Sequence, residues 1–158
     1  MHSPITVDDN QFPTGEDAVR TKVLVVDDDE ETTDLLKIIL KPDTFQVFAA
    51  HSGLDGIELA RRLKPDVMVL DLLLLSMDGW QLCKEIRKFS KAPILVLSAI
   101  SKPGLAARAL DEGADDFLLK PIASSVLIAH LKKLTRRARA EREASLPKNT
   151  GESPEISL

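Results

Sequence analysis

The sequence contains a single cysteine, Cys83, among its 158 residues. One thiol cannot form an internal disulfide, and without a second thiol there is no cysteine pair at a metal-binding spacing. The N-terminus lacks the apolar core of a signal peptide, and no apolar run reaches the roughly 18 residues that a membrane span needs. We therefore expect a soluble, cytoplasmic protein that does not act at a membrane.

Positive charge is not in excess either. The chain has 21 Lys and Arg residues against 25 Asp and Glu residues, a formal net charge of −4. Because nucleic-acid binding usually requires a basic surface that neutralises phosphates, this composition gives no general reason to expect it. The apolar fraction of 44% instead predicts a folded domain, and the length allows one domain with its own core and some additional tail.

From Lys22 onward, short apolar runs alternate with longer stretches of helical spacing. The strand candidates are VLVV, FQVFAA, VMVLDL, PILVLS and DFLL. Runs such as VLVV do not alternate apolar with polar residues, which is typical of strands covered by helices on both faces. Five strand-helix units in about 120 residues predict a doubly wound α/β fold with a parallel sheet, and its ligand site should lie beyond the carboxyl ends of the strands.

The remaining segments have a different composition. Residues 1–20 are polar and acidic and show no sustained periodicity, which predicts a flexible leader. We assign residues 21–140 to the folded domain and residues 141–158 to a polar linker or tail. Four arginines fall between positions 136 and 142. They could bind phosphate backbones, but favourable charge at the end of the last helix explains them adequately.

Charged and hydroxyl side chains follow four of the predicted strands. The acidic run of residues 27–31, DDDEE, comes after the first strand. Asp71 ends the third strand, Ser98 ends the fourth and Lys120 follows the fifth. In a parallel sheet these ends meet at one edge. Two carboxylates about 4 Å apart repel each other by roughly 4 kcal/mol at an effective dielectric constant of ~20, so they need counterions.

Lys120 supplies one positive charge at this edge, and a divalent metal could supply more. Oxygen ligands without nearby His or Cys favour a hard ion such as Mg²⁺. Carboxylate, Mg²⁺, hydroxyl and lysine together predict a phosphoryl-transfer site, in which one carboxylate attacks phosphorus while the cations and the hydroxyl stabilise the transferred oxygens.

Four separated stretches, VLVVDDDEE, PDVMVLDLLLLSMDGW, PILVLSA and GADDFLLKP, resemble in order and spacing the receiver domain of two-component response regulators. The resemblance covers residues 22–137. It implies a flavodoxin-like sheet with strand order 2-1-3-4-5 and five helices. It also implies that Asp71 is phosphorylated by a sensor histidine kinase, a phosphotransfer protein or a small phosphodonor. The chain would then be a signalling switch rather than an enzyme.

The resemblance implies a role for each residue of the site. Mg²⁺ would be bound by Asp28, Asp71 and the Leu73 backbone carbonyl, with Asp27 assisting through water. Ser98 and Lys120 would contact the phosphoryl group, Phe117 matches the aromatic switch position, and the Lys120-Pro121 peptide bond would be cis. Leu75 departs from the family pattern, which has proline there, but Asp78 and Gly79 still offer a turn and a helix N-cap.

The end of the fifth helix, LTRRARAER, and the polar segment after it resemble the junction of the OmpR/PhoB class. This implies a winged-helix DNA-binding domain that is absent from the chain, although a complete single-domain regulator is the alternative. That class usually dimerises through charged pairs on its fourth helix, fifth strand and fifth helix. In this chain one charged pair is kept, Asp116 with Arg137. In a second pair Glu112 faces His130, where the class usually has arginine, and a third pair is replaced by the apolar residues Ala106 and Val126. We expect a homodimer through these residues.

Three other functions fit parts of the pattern. A pseudo-receiver would fold and bind partners without being phosphorylated. A haloacid-dehalogenase-type phosphatase would use Asp27 as nucleophile, but Glu30 and Glu31 replace its usual Thr and Gly, and no acidic pair follows a later strand. A flavodoxin-like electron carrier needs Gly, Ser or Thr in the first loop to bind the flavin phosphate, whereas this loop is acidic.

Overall fold

The structure is a computed structural model and describes residues 20–42, 45–72 and 77–147. Strands and helices alternate along these residues. In chain order the elements are β1 (Thr21–Val26), α1 (Glu30–Leu40), β2 (Phe45–Ala50), α2 (Gly53–Leu63), β3 (Val67–Asp71), α3 (Gly79–Arg87), β4 (Ile94–Ser98), α4 (Leu105–Asp111), β5 (Asp116–Leu119) and α5 (Ser124–Ser145). All strand pairings are parallel, and the sheet order is β2-β1-β3-β4-β5. The predicted doubly wound, flavodoxin-like fold is confirmed.

The central strands bury both faces of the sheet, which explains their unbroken apolar sequences. On β1, Val23 and Val25 pack with α1 and α5, whereas Leu24 and Val26 pack on the opposite side with α2, α3 and α4. The strands β3 and β4 divide their side chains between the same two cores. Because successive side chains of a strand point to opposite faces, a strand covered on both sides needs apolar residues at every position.

Helices α1, α2 and α3 each begin at a capping side chain that lies in the connection after the preceding strand. Asp29, Ser52 and Asp78 accept hydrogen bonds from backbone N–H groups in the first turns of α1, α2 and α3. Each cap satisfies a donor that the helix itself leaves unpaired. The first turns of these helices are thereby held near the carboxyl edge of the sheet.

Helix α5 continues to Ser145, five residues past the predicted end of the folded domain. These five residues, EREAS, are mostly strong helix formers, and the predicted end of the fifth helix, LTRRARAER, already extends into them as far as residue 142. Two arginines near the end of α5 also contact the rest of the domain: Arg139 donates a hydrogen bond to Thr21 at 3.1 Å, and Arg142 lies 3.7 Å from Asp66. Nearly all of the predicted leader and most of the predicted tail lie outside the described residues. Within the described part of the chain, no helix has the length and apolar character to cross a bilayer.

Arg87, at the end of α3, holds together the loops that precede β4 and β5. Its guanidinium donates hydrogen bonds to the carbonyl oxygens of Gly113 at 2.9 Å and Ala92 at 2.6 Å, and it binds the Asp115 carboxylate at 2.7 Å. The same carboxylate oxygen accepts the backbone N–H of Ile94 at 2.8 Å. One side chain thus fixes the starts of two neighbouring strands.

Replacing Arg87 by alanine should lower the free energy of unfolding by about 2–3 kcal/mol, because hydrogen bonds to charged groups contribute about 1.5–3 kcal/mol and their partners would lose them. Urea unfolding followed by the fluorescence of Trp80 measures this. Lys88→Ala is the matched control, since Lys88 is 65% exposed and makes only a surface pair with Glu85. Equal losses in the two variants would contradict the proposed contribution of Arg87.

Candidate functional site

Three carboxylates converge at the carboxyl edge of the sheet. One carboxylate oxygen from each of Asp27, Asp28 and Asp71 lies within 4.8 Å of the other two. The backbone holds them there: the Asp27 N–H donates to Ala50 O at 3.0 Å, just beyond β1, and Asp71 is still paired with Leu97 in the sheet. The cluster therefore follows from the parallel pairing of the strands.

Lys120 reaches into this cluster from the loop after β5. Its Nζ lies 3.3 Å from Asp27 Oδ2 and 3.9 Å from Asp71 Oδ1. The Lys120 backbone N–H donates to Ser98 O at 2.8 Å, and the Lys120-Pro121 bond is cis, as predicted. One ammonium group faces three carboxylates, so the cluster keeps an excess of negative charge.

The two carboxylates that Lys120 contacts differ in accessibility. Asp27 is 5% exposed and accepts from the Asp29 N–H at 3.0 Å in addition to its contact with Lys120. The Asp71 side chain is 13% exposed, although its strand is buried. A molecule arriving from solvent therefore reaches the Asp71 carboxylate more readily than that of Asp27.

The acidic residues after β1 divide between two tasks. Asp29 caps α1 by accepting the Glu31 N–H at 3.1 Å, and it lies outside the carboxylate cluster. The Thr32 hydroxyl, which donates to Asp29 at 2.6 Å, is the main reason why the pKa of Asp29 lies below the usual value of an aspartate. Because the pKa of Asp29 is lower in the folded state than in the unfolded state, this interaction stabilises the fold fully at pH values above the unfolded-state pKa. The stabilisation is lost as the pH falls through the folded-state pKa.

Ser98 and Phe117 lie on the two strands beyond Asp71. Ser98 is fully buried, and its hydroxyl donates to Ile100 O at 3.2 Å while accepting the Ile100 N–H at 3.0 Å. Phe117 is partly buried and packs against the core beneath α2, α3 and α4. In this structure the Ser98 hydroxyl is thus engaged in the loop after its own strand.

Gly79 shapes the connection after Asp71. Its N–H donates to Leu72 O at 3.0 Å, and a Cβ at this position would lie 2.8 Å from Leu72 Cα. Any side chain would force α3 away from the end of β3, so only glycine fits here. The predicted ligand Leu73 and the atypical Leu75 lie outside the described residues.

The residues predicted for a dimer interface make contacts within the chain. Glu112 pairs with Lys84 of α3 at 3.1 Å, and Asp116 pairs with His130 of α5. Arg137 is exposed on α5. Of the two apolar substitutes, Ala106 is exposed and Val126 is 43% exposed. Pairing of these residues with a second copy of the chain stays a prediction.

The donor set of the cluster fits Mg²⁺. It offers carboxylate oxygens from Asp27, Asp28 and Asp71, and an ion bound among them would offset the charge that Lys120 leaves uncompensated. Hard divalent ions prefer oxygen ligands of this kind, and Mg²⁺ usually binds through one or two carboxylates while keeping several waters.

Comparison with known proteins gives a consistent result. A family model described as the response regulator receiver domain matches residues 23–132. A two-component response regulator from Clostridium difficile is 32% identical, with a TM-score of 0.72 over 75% of this chain and 98% of its own. The response regulator 1452 receiver domain of Francisella is 30% identical, with a TM-score of 0.71 over 75% and 98% of the two chains. The BeF₃-activated N-terminal receiver domain of Klebsiella pneumoniae RstA is 31% identical, with a TM-score of 0.70 over 73% and 99%.

Mg²⁺ should raise the thermal unfolding temperature of the protein, because an ion that binds only the folded state stabilises it by about 2.7 kcal/mol at 100 times its Kd. Differential scanning calorimetry with and without Mg²⁺ measures the shift within each variant. The shift should largely disappear in Asp28→Asn. It should persist in Asp34→Asn, an exposed acid on α1 outside the cluster. Equal shifts in the two variants would show that the ion binds elsewhere.

Proposed function

The chain belongs to the family of response regulator receiver domains, and we propose that Asp71 is its phosphoacceptor. The phosphoryl donor would be a sensor histidine kinase, a phosphotransfer protein or a small acyl phosphate. The observation that carries this assignment is the position of Asp71 within the carboxylate cluster, 3.9 Å from Lys120 Nζ and more exposed than Asp27. The cytoplasm is the compartment in which we expect this exchange.

In the transfer step, a carboxylate oxygen of Asp71 attacks the phosphorus atom of the donor. The bond from phosphorus to the donor's nitrogen or oxygen breaks, the leaving group keeps the electron pair, and an aspartyl phosphate forms. Lys120 lies close enough to offset the charge on the phosphoryl oxygens once they replace its contact with Asp71. Mg²⁺ bound by Asp28, Asp71 and the Leu73 carbonyl, with Asp27 assisting through water, would supply further charge compensation.

Phosphorylation then acts on the loop after β4. The Ser98 hydroxyl would donate to a phosphoryl oxygen instead of to Ile100 O and would give up the bond it accepts from the Ile100 N–H, which releases the loop that leads to α4. Helix α4 is easily displaced, because it has only seven residues and no side-chain N-cap at Gly104. Phe117 would turn inward as the loop moves, so the surface formed by α4, β5 and α5 changes shape. A partner responds only as far as it prefers that changed surface.

We place the output in transcription control, in a protein of the OmpR/PhoB class whose winged-helix domain is absent from this chain. The continuous helix α5, which runs to Ser145, supports a connection to further chain. The similar Klebsiella pneumoniae receiver is itself an N-terminal domain. DNA would then be contacted only through the missing domain. A stand-alone regulator that acts by protein-protein contact is the second candidate.

The phosphoacceptor assignment is tested by incubation with Mg²⁺ and acetyl phosphate, followed by intact-mass spectrometry. The wild type should gain one phosphoryl group, and a chelator should abolish the adduct. Asp71→Asn should gain none, because the nucleophilic carboxylate is gone. Asp34→Asn, which changes an exposed carboxylate outside the cluster, should behave like the wild type.

Two results would contradict this assignment in different ways. A folded wild type that binds Mg²⁺ but gains no adduct would be a pseudo-receiver. An adduct that survives in Asp71→Asn would make Asp27 the nucleophile, as in a haloacid-dehalogenase-like phosphatase.

The activated form should dimerise through the surface of α4, β5 and α5, with Arg137 of one copy facing Asp116 of the other. Charge reversal in Arg137→Glu should weaken self-association by about tenfold or more, because a symmetric dimer contains the pair twice and each pair contributes up to about 1 kcal/mol. Sedimentation velocity in the presence of BeF₃⁻ measures this. Arg136→Glu, a reversal of the neighbouring exposed charge, is the control, and unchanged sedimentation of Arg137→Glu would count against the interface.

A further inference from the structure

A basic groove lies between the C-terminal half of α1 and the edge strand β2, at the opposite end of α1 from the carboxylate cluster. Its volume is about 600 Å³. Arg20, Lys37 and Lys41 line it together with apolar residues that include Ile38 and Val47. Within the described residues β2 pairs only with β1, so one backbone edge of this strand has no partner there.

The groove combines uncompensated positive charge with exposed apolar surface. Arg20, Lys37 and Lys41 form no ion pair with another described residue, and Asp34 is the single carboxylate among the lining side chains. Ile38 is 70% exposed, the highest exposure among the large apolar side chains described. A complementary occupant would carry carboxylates interspersed with apolar side chains, and an extended segment could also cover the open strand edge.

We propose that the chain's own residues 1–19 dock in this groove. This segment contains Asp8, Asp9, Glu16 and Asp17 but no Lys or Arg, and its apolar residues are interspersed among them. It joins the described structure at Arg20, which is itself part of the groove.

The tether favours this occupant over a separate molecule. Asp17 lies three residues before Arg20, so at most about 11 Å of extended chain separates their Cα atoms. An attached segment also has an effective concentration in the millimolar range, at which individually weak ionic contacts suffice. Docking would shield Ile38 and the β2 edge from other chains.

Paramagnetic relaxation enhancement on the full-length chain tests the proposal. Cys83 is fully buried, and burial raises the pKa of its thiol to about 11, so a cysteine introduced as Ser3→Cys can be spin-labelled selectively. Docking should broaden the backbone amide signals of Ile38, Lys41 and Val47. The broadening should decrease by about twofold or more in Lys37→Glu/Lys41→Glu and in high salt, because the contacts are ionic.

Two further variants make the result specific. When Asp8→Lys and Asp9→Lys are added to the Lys37→Glu/Lys41→Glu variant, the broadening should return. The groove then carries the negative charges and the N-terminal segment the positive ones. Lys88→Glu/Lys102→Glu, which reverses two exposed lysines outside the groove, should leave it unchanged.

Broadening of equal size in all variants would reflect the tether alone and would overturn the proposal. So would broadening that arises between molecules, detected by mixing spin-labelled chains with unlabelled ¹⁵N chains, because the occupant would then be a second copy. The groove is remote from Asp71, so neither outcome depends on the phosphoacceptor assignment.

Discussion

Electrostatic repulsion among three carboxylates is the constraint around which this protein is organised. Asp27, Asp28 and Asp71 are held within 4.8 Å of one another by strands whose positions the sheet fixes, and Lys120 supplies only one compensating charge. Such an arrangement is costly unless cations complete it. A bound Mg²⁺ would offset this excess charge, and the phosphorylation proposed for Asp71 depends on that compensation.

The buried strands make this arrangement rigid, whereas the loop after β4 and helix α4 are held by fewer side-chain contacts. Asp71 ends a strand that is buried on both faces and paired with β1 and β4. Among the described residues the Ser98 hydroxyl bonds only with Ile100, and α4 is short and begins without a side-chain cap. If charge is added at Asp71, the strands that hold the site cannot move, whereas the loop after β4 and helix α4 can be displaced. The two-state switch proposed for this protein depends on that contrast.

The sheet, and the meeting of acidic side chains and Lys120 at its carboxyl edge, could be predicted from the sequence for an identifiable reason. Runs such as VLVV have only one common use, a strand covered on both faces, and a parallel sheet brings its strand ends together. Other features depend on side-chain directions or on distant loops. A run of three aspartates does not by itself show which side chain caps the helix. In the structure Asp29 caps α1, whereas Asp27 and Asp28 belong to the carboxylate cluster. The contacts of Arg87 were likewise not predictable, because its partners at Ala92, Gly113 and Asp115 come from loops brought together only by the fold.

Chemical trapping of the acyl phosphate would identify the phosphorylated residue. Borohydride reduces an aspartyl phosphate to homoserine, so the phosphorylated residue is identified by peptide sequencing in a mass spectrometer after treatment with acetyl phosphate, Mg²⁺ and borohydride. The account predicts homoserine at position 71 and unmodified aspartate at positions 27 and 28. Homoserine at position 27, or a phosphorylated protein that borohydride does not reduce at position 71, would contradict it.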